Sequence, residues 1–177
     1  MSLTALVLWA LLALVLIALV LAAQRPDRFR IERSLLLDAT PAQAQALVLD
    51  FHRWAEWSPW EKLDPAMERS YSGAPSGVGA VYAWSSKGKA GAGRMEITQA
   101  DAAQVQIQLD FIKPFAAHNI AEFQFRPQGA QTLVVWAMHG PSPFVSKLMG
   151  LVFNIDRMVG RDFEQGLRNL QQRLVSA

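Results

Sequence analysis

Residues 3–23, LTALVLWALLALVLIALVLAA, constrain the chain more than any other stretch. They hold no charge, and Thr4 is their only polar side chain. As a helix the 21 residues would extend roughly 30 Å at ~1.5 Å each, the thickness of a bilayer core. A segment this apolar cannot be folded into a small water-exposed domain without covering it. A cleaved leader would need a basic start, a shorter apolar core and an A-x-A-like site. Residues 1–4 carry no Lys or Arg, and the apolar run ends in Leu21-Ala22-Ala23. The expectation is an uncleaved single-pass anchor over 1–24 that meets the membrane through residues 3–23. No basic side chain precedes it, and Arg25, Arg28, Arg30 and Arg33 follow. The positive-inside rule therefore places the remaining residues on the cytoplasmic side.

A tether over 25–30, broken by Pro26, leads into one domain over 31–177. Arg30–Asp38 reads as a strand. Thr40 and Pro41 are an N-cap and first helical residue, followed by a short Ala-rich helix to Phe51. Next comes HRWAEWSPWEKLDP (52–65), with three of the chain's six tryptophans inside seven residues. If 51–57 is helical, Trp54 and Trp57 share a face, while Pro59 opens a second short helix. Strands follow at Met67–Tyr71, Val81–Ser85, Arg94–Gln99, 105–111 and His118–Arg126, the last three alternating, and at Thr132–Met138, apolar on both sides and so expected to be central; Gly- and Pro-rich turns separate them. Val105, Ile107, Leu109 and Phe111 alternate with Gln104, Gln106, Gln108 and Asp110, which predicts a sheet with one wet face. Residues 142–155 are apolar with weak periodicity, a loop or short helix. From Asp156 to Ser176 the period becomes helical, with Val159, Phe163, Leu167, Leu170 and Leu174 on one stripe. The order predicts an α+β fold: an antiparallel sheet whose inner face only the last helix is long enough to cover.

Six segments together carry a family resemblance: LVLDFHRWAEWSPW (47–60), DPAMERSYSGAPSGVGAVYAW (64–84), GAGRMEI (91–97), IKPFAAHN (112–119), TLVVWAMHG (132–140) and DFEQGLRNLQQRL (162–174). In this order the chain resembles the START/Bet v 1-like (SRPBCC) superfamily, in its polyketide cyclase/dehydrase-like branch. The resemblance implies a helix-grip fold, a seven-stranded antiparallel sheet wrapped on a long C-terminal helix with an apolar tunnel between them. It implies a hydrophobic ligand such as a lipid, sterol or polyketide, with enzymatic activity in some members; on this chain the expected ligand is a lipid, isoprenoid or polyketide-like molecule. It supplies no catalytic residue.

The residues themselves favour binding over chemistry. A cyclase or dehydratase, the alternative reading, needs an acid or base pointing inward. Strand parity places Glu96, Asp110, His118 and Glu122 outside, and His139 ends an apolar strand beside Gly140-Pro141; His52 lies in the Trp-rich stretch. There is no cysteine and no metal-ligand spacing, so neither cofactor nor metal is expected. A net charge of +2 with scattered Lys and Arg leaves no stripe for nucleic acid. The large apolar side chains expected to meet ligand are Trp57, Trp84, Met95, Phe111, Phe123, Trp136, Met138, Phe153 and Phe163. For the Trp motif the leading expectation is a clasp that closes one end of the grip. Gly160 and Gly166 in the last helix either leave room for ligand or let helix and sheet approach closely.

Overall fold

The structure, a computed structural model, describes residues 2–176. Helix α1 (Leu3–Ala23) is followed by strand β1 (Arg28–Leu37), helix α2 (Pro41–Leu49) and two 3₁₀ turns, Phe51–Glu56 and Pro59–Lys62. Strands β2 (Glu68–Gly73), β3 (Ala80–Ser85), β4 (Ala92–Ala100), β5 (Gln104–Lys113), β6 (Ala117–Gln128) and β7 (Gln131–Pro141) come next, then helices α3 (Phe144–Val152) and α4 (Ile155–Val175). The strands form one antiparallel sheet in the order β1-β7-β6-β5-β4-β3-β2. This is the helix-grip architecture, with α4 lying across the inner face.

Local chemistry explains the boundaries. Thr40 caps α2 in a full capping box, its hydroxyl accepting from Gln43 N–H and the Gln43 side chain accepting from Thr40 N–H, with Pro41 at the first turn. β1 starts at Arg28, two residues earlier than the alternation suggests, because Arg28 and Phe29 pair with Pro141 and Gly140. The apolar 142–155 stretch forms a helix, α3, for most of its length.

The core lies between the inner sheet face and α4. Ile97, Val105, Ile107, Phe123 and Phe125 supply the sheet side, and Phe163, Leu167 and Leu170 the helix side, all essentially inaccessible. Gly166 has a packing cause. A β-carbon there would sit 2.6 Å from the Trp136 ring, so the missing side chain lets helix and sheet touch rather than leaving room for ligand. Gly160 gives the same close approach to the Arg33 guanidinium, which bridges β1 to Asp156 and Glu164 on α4 at 3.0 Å each.

Helix α1 is long and apolar enough to cross a membrane by length and composition. Ala22 is its one buried residue. The helix packs on α3, and the Arg25 guanidinium, just past its C-terminal end, lies against Gly150. The Asp27 carboxylate accepts from Lys147, and the Asp27 carbonyl accepts from Ser142 N–H at 2.7 Å.

Candidate ligand cavity

The Trp-rich motif builds one side of the site. Trp54 and Trp57 donate their indole N–H groups to the carbonyls of Val48 and Leu47, at 3.0 and 3.1 Å. These are carbonyls at the C-terminal end of α2, which a helix leaves without an internal partner. Asn169 on α4 donates to the Trp57 carbonyl at 2.8 Å. The motif thus ties α2 to α4. The Trp57 ring, fully buried, sits edge-on to Trp136 and Phe123, and Trp136 stacks on Phe163 with centroids 4.3 Å apart. Bridging helix, turn and sheet in this way is what a clasp requires.

Beside this cluster lies a cavity of about 170 Å³ between the inner sheet face, the 3₁₀ turns and the start of α4. Its sheet wall is Tyr82, Trp84, Met95, Leu109, Phe111, Ala121, Trp136 and Met138. Val159 and Phe163 of α4 face them, and Trp54, Trp60 and Leu63 close the turn side. Leu63 is half exposed and marks the rim. Of the nine side chains expected to meet ligand, Trp84, Met95, Phe111, Trp136, Met138 and Phe163 stand on this wall. Trp57 and Phe123 lie behind it, fully buried, Phe123 stacked on Trp136 and Trp57 edge-on to it. Phe153 is outside, 52% exposed where it caps the C-terminus of α3, a helix that packs on α1.

Strand parity holds for the candidate acids and bases, and none of them lines the cavity. Asp110 and His118 pair at 2.8 Å, Glu96 pairs with Arg94 at 2.6 Å, and His52 stacks on Tyr71. Glu122 departs from a solvated reading: Arg30, His139 and Gln124 cover it on the outer face, leaving it 9% exposed. Burial works to raise its carboxyl, but the Gln124 and Arg30 hydrogen bonds outweigh it and hold the group below the usual range.

The polar group that does reach the cavity is one sequence reasoning missed. The Glu61 carboxylate accepts from the Tyr82 hydroxyl and from Arg69 Nε, each at 2.6 Å, and only 6% of its side chain is exposed. Arg69 also donates to the Glu61 and Met67 carbonyls. Burial, then the Glu61 acceptor, pushes the Tyr82 phenol well above its ordinary value, so it stays a neutral donor. Glu61 sits in a charged stretch, EKLD, with no period to give its direction, whereas Tyr82 shares the inward parity of Trp84. Ser58, 1% exposed, joins them on the wall without a cap bond. Trp136 Nε1 is the one buried side-chain polar atom without a partner among the described residues. No cluster of three or more His, Asp or Glu that could hold a metal occurs among them.

The sheet order, the α4 grip and an apolar cavity with one polar corner coincide with a family match. The model for polyketide cyclase / dehydrase and lipid transport proteins matches residues 28–175. The chain belongs to this family. Solved structures of the same fold include protein CV1439 from Chromobacterium violaceum, 13% identical, with 85% of this chain and 98% of that one covered and a TM-score of 0.57. TTHA0849 from Thermus thermophilus is 17% identical over 84% of this chain and 98% of its own, also at 0.57. Ara h 8.0201 is 11% identical over 85% and 99%, at 0.56. At such identities the likeness establishes the fold and nothing finer. No curated protein sequence matches significantly. Family and cavity chemistry together support binding of a hydrophobic ligand, the coarse function of the domain.

Proposed function

We propose that the protein is a membrane-anchored binder of a hydrophobic small molecule, a lipid, isoprenoid or polyketide-like compound. In this reading α1 spans the bilayer, the arginines after it hold the domain on the cytoplasmic side, and the ligand lies in the cavity under α4. The observation that carries it is the cavity itself. About 170 Å³ of space walled by Trp84, Met95, Phe111, Met138 and Phe163 exceeds the roughly 150 Å³ at which a dry apolar cavity takes up benzene. Its apolar wall stabilises a ligand in proportion to the area removed from water. Native mass spectrometry on the full chain released from its membrane, with lipid extraction, tests the reading. A co-purifying lipophilic species and saturable uptake of a lipophilic dye are expected. A domain that is always empty and takes no dye overturns it. Protease accessibility in right-side-out and inverted vesicles tests the orientation.

The Glu61–Tyr82 pair supports a second reading, a cyclase- or dehydratase-type enzyme, because it puts on the cavity wall the inward polar group such chemistry requires. A polyketide-like ligand would then leave the cavity dehydrated by wild type and unchanged by Tyr82→Phe. Recovery of the same unchanged compound from both proteins rejects this reading and leaves the binding reading intact.

A further inference from the structure

We propose that the end of the sheet from which β1 starts is a membrane-docking surface, seated in the headgroup layer of the bilayer that α1 crosses. The proposal rests on the reading of α1 as a span and adds where the domain sits against that membrane.

Helix α3 is amphipathic the wrong way round for a helix packed on a water-soluble domain. Phe144, Val145, Leu148, Met149 and Val152 fall at one-turn spacings on a single face, and all are exposed, Val152 at 79% and Val145 at 66%. The residue it buries is Lys147, 8% exposed and paired with Asp27 just after α1. A soluble helix turns such a stripe toward the core, and exposed apolar patches of this kind mark an interaction surface.

The strand register adds a second, independent group of residues. Arg28 pairs with Pro141, Phe111 with Ala117, Ala92 with Lys113 and Ser85 with Ala92. The start of β1, the end of β7 leading into α3, the β3–β4 turn and the β5–β6 turn therefore share one end of the sheet. At the β5–β6 turn Phe115 is 73% and Ile112 58% exposed. Around these apolar tips stand exposed cations: Arg25 and Arg28 after α1, Lys87 and Lys89 in the β3–β4 turn, and Lys113. Of the carboxylates at this end, Asp27 is exposed but its charge is paired with Lys147, Asp64 accepts from Ser86, and Glu68 is exposed. Apolar tips ringed by cations fit an anionic lipid surface. The occupant follows from continuity, because α3 packs directly on α1, with Arg25 and Asp27, just past the end of α1, against Gly150 and Lys147 of α3. The cavity reaches the same end, through Trp84, Ala90 and Phe111, so docking would turn it toward the lipid.

The absence of cysteine makes a labelling test direct. Single cysteines replace Val152, Phe115, Leu12 in α1, and Val78 in the β2–β3 turn at the opposite end of the sheet. All four positions are exposed, and near-UV circular dichroism checks each fold. The full chain carries a nitroxide in vesicles of phosphatidylcholine and phosphatidylglycerol. Collision rates with oxygen, which partitions into lipid, are compared with those of a water-soluble nickel chelate. Oxygen is expected to dominate at Leu12, Val152 and Phe115, with the ratio reversed at Val78. Oxygen dominance at Leu12 but nickel dominance at Val152 and Phe115 overturns the docking surface and leaves the anchor standing. Nickel dominance at Leu12 removes the anchor and the docking surface with it. Spin–spin broadening at Val152 without oxygen preference assigns the face to a second copy of the chain and also overturns the proposal.

Discussion

Trp57 and Trp60 stand three residues apart, yet their side chains do different work. Trp57 is fully enclosed, donates to the Leu47 carbonyl and touches no cavity space. Trp57→Ala removes that bond and opens a void among Trp54, Trp136 and Phe123, so it should destabilise the domain by about 3–5 kcal/mol, read by urea denaturation. Trp60 is only partly buried and forms cavity wall, so Trp60→Ala should weaken dye binding more than it lowers stability. Tyr82 gives a prediction on the alkaline side. Its phenol is raised in the folded state by burial and by Glu61. The folded chain therefore keeps a proton that the unfolded chain gives up near pH 10, and this stabilisation is present below that pH and declines above it. Denaturation midpoints should hold level from about pH 7 to 9 and fall above about 10. The fall should be shallower in Tyr82→Phe, and an equal fall in both proteins removes Tyr82 as the cause.

Among the elements, α4 shows how two glycines in one helix can have opposite substitution outcomes. At Gly166 a new β-carbon meets the rigid Trp136 ring at 2.6 Å and Pro59 at 3.2 Å. Gly166→Ala should cost about 1–3 kcal/mol from overpacking, despite a helix-propensity gain of ~1 kcal/mol. At Gly160 the obstacle is the Arg33 guanidinium, the far end of a flexible side chain whose partly exposed ion pairs contribute under about 1 kcal/mol each. Gly160→Ala should be close to neutral; thermal melts of the two variants decide. The strands and α4 were legible because each buries one face, and burying one face writes a period into the sequence. Parity placed Met95 and Phe111 inward and Asp110 and His118 outward for that reason. It failed at Glu61, which stands on a 3₁₀ turn too short to have a period. It also could not separate Phe123 from Phe111: both face inward, and only the cover of Trp54 and Trp57 over Phe123 makes one core and the other wall. Phe153 was placed inside because it is large and apolar, a property that does not by itself distinguish a buried side chain from an exposed one.

At the scale of the whole molecule the cavity is narrow enough to be closed by one side chain. Ala90 lies on its wall in the β3–β4 turn, partly exposed. Ala90→Trp should fill the space and lower dye affinity by at least about tenfold, a loss of ~1.4 kcal/mol, while the melting temperature stays near that of wild type. Unchanged affinity would move the ligand out of this cavity. The sheet order carries a further consequence, for biosynthesis. β1 is hydrogen-bonded to β7 alone, with Arg28 against Pro141 and Leu37 against Thr132. The first strand to leave the ribosome therefore waits for the last, and contacts of such long sequence separation make folding slow. Throughout that wait β1 is an unpaired edge able to recruit foreign strands. Its charged residues Arg28, Arg30, Glu32 and Arg33 make it a poor template for them, and so protect the nascent chain until its own partner arrives.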